Sequence, residues 1–413
     1  MPQDSMRWQF NDPNNQEEAA ERLETIARID SWWREFREKS DQVQAVFSRK
    51  SALDLAAWMK AHLQAIDPRL AWEFGPAVHG SGHRLVITPE ADHHLRPLVA
   101  RILELAPAME GWEFYEYRLP EDFATTRLTV EGRTGGDIRD FRVRVERGEH
   151  HRIRLCFCSP SVSDANDQSV LDAAFVATET LLGEECLNKW IGAIEVSPQA
   201  GYRGSGSLSR HGDRESARFY PLERLKETVE AVISSIRDQL PQRPHWEWIP
   251  EAKWTLWELE PPSTEDDYVG QTDLIIGKSA NPAMWLAAHS DARFFSERFS
   301  RCGETFCYVK IDGSEGLPAP GLADKSEIED ALDAALKRTK LGCHIGGGTG
   351  LRYSYIDLAV TDLDRAIAAI RQSLQAGNVP RRSWIEFFDA SLKAEWVGVF
   401  EDTPPPPMAP FDA

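Results

Sequence analysis

The run His344-Ile345-Gly346-Gly347-Gly348-Thr349-Gly350-Leu351-Arg352-Tyr353-Ser354-Tyr355-Ile356-Asp357-Leu358 is the most distinctive stretch of the chain. Four glycines in five residues can close backbone N–H groups around an anion. A Walker-type phosphate loop needs Lys and then Ser or Thr after its last glycine, with a helix behind it. Here Gly350 is followed by Leu351-Arg352 and by Tyr353, Tyr355 and Ile356, which favour a strand. A dinucleotide-binding turn would also open a helix at this point. The run therefore reads as a hairpin. One strand ends over Cys343 to Ile345, the glycines supply positive φ, and Leu351 to Val360 returns. Gly346, Gly347 and Gly348 with Arg352 remain the alternative, an anion-binding loop.

The flanking segments give this hairpin its context. Glu304 to Asp312 (ETFCYVKID) reads as a strand, and Lys325 to Lys340 places Ile328, Leu332, Ala335 and Leu336 at helical spacing. Thr361-Asp362-Leu363-Asp364 is a helix start, and Leu363, Ile367, Ile370 and Leu374 give that helix one apolar face. Ser383 to Phe388 is a strand, and Glu395 to Phe400 adds a short one. The order β-α-β-β-α-β is the ferredoxin-like split arrangement. The fold class expected is α+β, with antiparallel sheets carrying helices on one face and a ferredoxin-like C-terminal unit.

The 413 residues suggest several domains. Residues 1–66 read as an N-terminal helical region and 67–198 as a first α+β domain. The Gly/Ser/Arg-rich 199–213 reads as a linker, 214–403 as a second α+β domain, and 404–413 as a disordered proline-rich tail. Within these, Trp246 to Ile249 reads as a strand and Pro282 to Phe299 as one helix. Arg152 to Val196 and Glu304 to Ile345 share a strand, loop, helix, strand pattern, a weak sign of duplication.

A net charge of −19 argues against duplex nucleic acid and anionic membranes, and it suits a basic protein partner. No run approaches the length of a membrane span. Six cysteines without paired zinc spacing read as free thiols of a reducing cytosol. His79, His83, His93 and His94 lack a metal-site pattern, and Gly204-Ser205-Gly206 lacks the strand that a nucleophile elbow needs. Neither a metal nor a cofactor is expected. Glu386, Asp389 and Glu395 lie close in sequence and could act as paired carboxylates, although strands on a surface carry such residues routinely.

Asp137 to Ser159 reads as a hairpin with Val145 opposite Ile153 and Gly148-Glu149-His150 as its loop. Arg142, Arg144, Arg152 and Arg154 then share a face, with Glu146 opposite Arg152. That face is a second candidate for an anion or an acidic partner. Fourteen tryptophans are available either as core residues or as exposed anchors for a partner protein.

The motifs Trp72-Glu73-Phe74-Gly75-Pro76, Leu85-Val86-Ile87-Thr88, Leu182-Gly183-Glu184 and Ile191-Gly192-Ala193-Ile194-Glu195 resemble an uncharacterised bacterial family over roughly residues 30 to 197. The C-terminal stretch with Arg352-Tyr353-Ser354-Tyr355 and Trp396 is distantly similar to a small bacterial α+β domain of unknown function, sometimes found beside regulators of ribonuclease E. The resemblance implies a bacterial cytosolic protein and transfers no catalytic residue. The function expected is a non-enzymatic, protein-binding or regulatory role of inhibitor or immunity type. The alternative is a binder of a small anion or nucleotide, or an enzyme, using the Gly346 loop or the arginine face.

Overall fold

Asn15 starts the first helix, because its side chain accepts the Glu18 N–H at 3.2 Å and so satisfies one of the helix's free donors. In the computed structural model, which describes residues 7–11, 15–159, 168–197, 218–262 and 267–408, that helix (α1, Gln16–Phe47) is continuous over 32 residues. Ile29, Trp32, Trp33, Phe36 and Val43 lie along its buried side. They share one core with α2 (Leu55–His62), α3 (Arg96–Glu104) and a sheet of three strands, β1 (Ala71–Pro76), β2 (His83–Thr88) and β3 (Trp112–Tyr115). The strands β1 and β2 are antiparallel, and β2 and β3 are parallel. The N-terminal helices are thus not a separate region, since their core continues into strands beyond residue 66.

The chain divides at other points than its composition suggested. One unit spans Tyr117–Leu240, and the other combines the residues up to 116 with those from 241. Segment 199–213 lies outside the described residues.

The 117–240 unit contains α4 (Phe123–Thr134), β4 (Arg142–Arg147), β5 (Ile153–Cys158), α5 (Gln168–Leu182), α6 (Glu184–Trp190), β6 (Ile191–Val196), β7 (Tyr220–Pro221) and α7 (Leu225–Gln239). Its strands lie in the order β6-β5-β4-β7. Val143, Val145, Ile153, Leu155 and Phe157 join α5 and α7 in its core, so the apolar faces are those expected from alternation. The register differs by two residues. Val145 pairs with Leu155, and Glu146 pairs with Arg154. The loop is five residues long, closed by Gly148 N–H donating to Arg152 O at 2.7 Å, with His150 and His151 both at positive φ. A two-residue slip keeps every side chain on its face, and alternation alone cannot detect it. The suggested duplication also fails on topology. Here β5 and β6 pair directly and in parallel.

In the other unit, residues from 241 continue with α8 (His245–Trp248), β8 (Thr255–Glu258), β9 (Leu274–Ser279), α9 (Pro282–Ser290), β10 (Thr305–Asp312), α10 (Lys325–Thr339), β11 (Gly342–Gly350), β12 (Tyr353–Val360), α11 (Leu363–Ala376), β13 (Ser383–Phe387) and β14 (Trp396–Gly398). Seven of these strands form one antiparallel sheet in the order β14-β13-β10-β12-β11-β9-β8. The strands of the β-α-β-β-α-β run therefore stand fourth, first, third, second. Between β10 and β11 lies β12, unlike the direct pairing of β5 with β6.

Two sequence expectations change here. Trp246 to Ile249 is helical, because Glu304 accepts both the backbone N–H (2.8 Å) and Nδ1 (2.7 Å) of His245 and fixes a turn between Pro244 and Pro250. The helix from Pro282 stops at Ser290. There Asp291 turns the chain by accepting the Arg293 N–H at 3.0 Å and pairing with Arg298 at 3.0 Å.

Candidate functional site

The central strands of the seven-stranded sheet are buried on both faces, and the site depends on that. On one face Cys307, Val309 and Ile311 of β10, with Ile356, Leu358 and Val360 of β12, meet the apolar sides of α10 and α11. The alternate residues point the other way. There Phe306, Tyr308, Tyr353, Tyr355 and Trp384 meet an aromatic core supplied by α9 and residues 294–299. Polar members of the same strands, Lys310, Asp357 and Glu386, are carried into this second face by the period-two alternation of strands.

Strand order brings three of them into a row. Tyr308 on β10 stands opposite Asp357 on β12 and opposite Glu386 on β13. Tyr308 Oη donates to Glu386 Oε2 at 2.8 Å, while Glu386 Oε1 is buried and has no hydrogen-bond partner among the described residues. Burial pushes the Glu386 carboxyl above its ordinary range, and the charge of Lys310 works against that shift. Lys310 is itself buried. Its Nζ donates to Tyr268 O at 2.6 Å and lies 4.3 Å from the centre of the Tyr353 ring.

Beside this row is a cavity of about 430 Å³. Its walls include Gln271, His289, Tyr308, Glu386, Phe388 and Trp396, and Pro406 to Met408 lie along one side. Tyr308 and Phe388 rings are 4.9 Å apart. Trp396 is held from outside by Arg7, whose guanidinium sits 3.6 Å from the ring centre and pairs with Glu18 at 2.5 Å. Glu395, also on the wall, is occupied. Its two oxygens accept the backbone N–H groups of Trp8 (2.6 Å), Gln9 (3.0 Å) and Phe10 (2.9 Å).

Gln271 links the rim to the buried Asp357. Its side chain lies 2.9 Å from Asp357 Oδ1 and 2.9 Å from His289 Nε2, and His289 Nδ1 lies 2.8 Å from the Trp285 carbonyl. A carbonyl only accepts, so Nδ1 carries a hydrogen. If the Gln271 NH2 faces Asp357, its carbonyl faces Nε2, and the imidazole must be a cation, while Asp357 Oδ1 accepts whether or not the carboxyl is ionised. If the amide is turned over, a neutral imidazole accepts from the NH2 and a protonated Asp357 donates to the amide carbonyl. Burial lifts the Asp357 carboxyl to about 7, against the hydrogen bond from Gln271 and the charge of Lys325, and burial also lowers the His289 imidazole, which disfavours the cation that the first arrangement needs.

The residues singled out from sequence are placed elsewhere. Gly346, Gly347 and Gly348 are not in a turn. They lie inside β11, paired with β12 on one side and β9 on the other, and the turn is Leu351-Arg352. Their backbone groups face these two ladders, and the Gly348 carbonyl also takes Lys325 Nζ at 2.6 Å. Arg352 joins an ion-pair lattice, 2.9 Å from Asp312 and 3.6 Å from Asp267, where Arg382 also pairs with both acids.

On β4 and β5, Arg144 pairs with Glu146 at 2.9 Å and Arg154 with Glu195 at 3.7 Å. Arg152 donates to Ile191 O at 2.5 Å, and Arg142 stands exposed opposite Cys158. Of the three neighbouring acids, Glu386 is on the cavity wall and Glu395 anchors the N-terminal segment. Asp389 instead accepts the Ser296 N–H at 2.8 Å.

His83 lies against Phe47 and Trp112, and His93 against Phe295. Among the described residues no group of three or more His, Cys, Asp or Glu is placed to hold a metal ion. All six cysteines are free thiols, and no described helix is long and apolar enough to cross a membrane. Comparison with known proteins finds no matching family model, no matching curated protein and no matching solved structure.

Proposed function

We propose that this protein binds a small organic molecule in the cavity beside Tyr308 and Glu386. The observation that carries the reading is the cavity itself, about 430 Å³, with Tyr308, Phe388 and Trp396 on its walls and Glu386, Gln271 and His289 among its polar groups. Small-molecule sites are typically cavities of roughly 300–1,000 Å³ with apolar walls and a few convergent polar groups. The protein-binding alternative needs exposed tryptophans. Of the fourteen, Trp254 is the exposed one, at 43%, while Trp32, Trp33, Trp285, Trp384 and Trp396 are core. The arginine face is largely occupied by its own glutamates.

Ala288 lines the cavity from α9, so Ala288→Trp fills it with little change to the sheet. Saturation-transfer NMR with 2-phenylethanol is expected to show binding to the wild type that weakens at least about fivefold in Ala288→Trp. Binding should persist in the Arg144→Ala/Arg154→Ala double variant. Signals that survive Ala288→Trp and vanish in the arginine variant would move the site to the β4–β5 face.

A further inference from the structure

We infer that β8 receives an extended, basic segment of a partner protein as an added strand. This goes beyond the cavity and does not rest on it, since β8 and the strands that supply Glu386 and Trp396 to the cavity lie at opposite ends of the sheet. Leu259 N–H donates to Ile275 O at 2.8 Å, so Thr255, Trp257 and Leu259 turn their backbone groups toward β9. Leu256 and Glu258, which alternate with them, turn theirs outward, and no described residue pairs with those groups. The sheet's other end differs, because at β14 Arg7 donates to Trp396 O at 2.9 Å. A bare edge of this kind is what an extended peptide pairs with, by main-chain hydrogen bonds.

Side chains along this edge say what the added strand carries. Leu256 is 60% exposed, and the exposed Trp254 lies on the same face, with Lys278 Nζ 5.6 Å from its ring centre. Glu258 shares that face by alternation and Glu260 follows it. Both are exposed, and neither has an ion-pair partner among the described residues. The neighbouring charges are taken, Glu251 by Arg243 at 3.7 Å and Lys278 by Glu329 at 2.8 Å. Against the two glutamates stands Lys253, which precedes the strand. A strand with apolar residues beside Trp254 and Leu256 and cations beside Glu258 and Glu260 therefore matches the edge, because opposite charges across a strand pair attract and like charges repel. A second copy of the chain would bring its own Glu258 and Glu260 and the same net charge of −19.

Calorimetric titration of the full chain with the peptide acetyl-KTKTVTV-amide tests this. Laid antiparallel to β8, it sets its lysines beside Glu260 and Glu258 and its valines beside Leu256 and Trp254. At about 50 mM salt it is expected to bind at least about tenfold more tightly than its acidic twin, acetyl-ETETVTV-amide. N-methylation of its third and fifth residues, whose N–H groups face β8, should weaken binding at least about tenfold, while N-methylation of the second and fourth should change it less than about threefold. Leu256→Pro removes an outward N–H and leaves the β9 ladder intact, so it should fold and lose the peptide. If it does not fold, the methylated peptides decide alone. An acidic twin that binds as tightly, or methylation effects that do not depend on position, would overturn the basic added strand. So would no binding of any peptide, or a wild-type dimer in sedimentation that Leu256→Pro dissolves. None of these outcomes bears on 2-phenylethanol in the cavity.

Discussion

A Gly348→Val substitution is expected to unfold the unit that holds the seven-stranded sheet, whatever ligand is supplied. A Cβ at this position would lie 2.2 Å from Ile276 O and 2.4 Å from Leu274 Cδ2. The first of these atoms belongs to the neighbouring strand's backbone, so relief requires β9 to move away from β11 and break their ladder. Gly347 is bound in the same way. It combines φ +134° with a Cβ position 2.2 Å from Tyr355 O. Substitutions that force backbone apart in a buried sheet fall in the severe class, more than about 4 kcal/mol. Thr349→Val, at the exposed position between two of these glycines, should change stability by less than about 0.5 kcal/mol. Urea denaturation of the three proteins measures both effects. If Gly348→Val melted with the wild type but lost affinity for inorganic phosphate, the glycines would be a ligand loop after all.

Asp357→Asn is expected to change how stability depends on pH. Burial raises the folded-state carboxyl of Asp357 from an ordinary 3.8 to about 7. Between those values the folded chain holds a proton that the unfolded chain has lost. Unfolding therefore becomes easier as pH rises through that interval, by about 1.4 kcal/mol per pH unit, and the penalty is constant above it. The whole interval is worth about 4 kcal/mol, of which about 3 kcal/mol accrues between pH 5 and pH 8. An asparagine cannot ionise, and its side-chain amide can donate to Gln271 or accept from it in either orientation. Asp357→Asn should therefore gain about 3 kcal/mol on the wild type between pH 5 and pH 8. The other charged groups facing Asp357, Lys325 and Glu329, are common to both proteins and cancel in the comparison. A difference between variant and wild type that is the same at both pH values would show that Asp357 ionises normally in the fold.

Much of the framework is legible in residue patterns because those patterns are local. The capping Asp362 and the spacing of Ile367, Ile370 and Leu374 specify α11 within one short segment. Strand alternation identifies which residues of β4 and β5 point inward, and it fails on register because a two-residue slip preserves that alternation. Two helices, α4 and α6, are not legible in this way. The first leaves Leu128 72% exposed, which blurs its apolar side.

The candidate site is nearly illegible for a different reason. Tyr308, Asp357 and Glu386 become neighbours only through the strand order β13-β10-β12, across 78 residues of sequence in the case of Tyr308 and Glu386. Grouping acids by sequence distance joins Glu386 to Asp389 and Glu395, whose carboxylates are spent on backbone N–H groups. One signal is present. Tyr308, Lys310 and Asp312 alternate with Cys307, Val309 and Ile311 in a strand that the split arrangement places centrally. Polar groups on a central strand need partners or a cavity if both faces are covered.

The most direct measurement uses the six methionines as reporters. Met408 lines the cavity, whereas Met59 and Met109 sit in or against the core of α1 to α3 and the three-stranded sheet. With 13C-methyl methionine labelling, adding 2-phenylethanol to the wild-type protein should shift the Met408 methyl resonance in a saturable way and leave Met59 and Met109 in place. The same titration of Ala288→Trp should need at least about fivefold more alcohol to move Met408 as far. A Met408 resonance that stays still in the wild type while the alcohol demonstrably binds would contradict the cavity as the site.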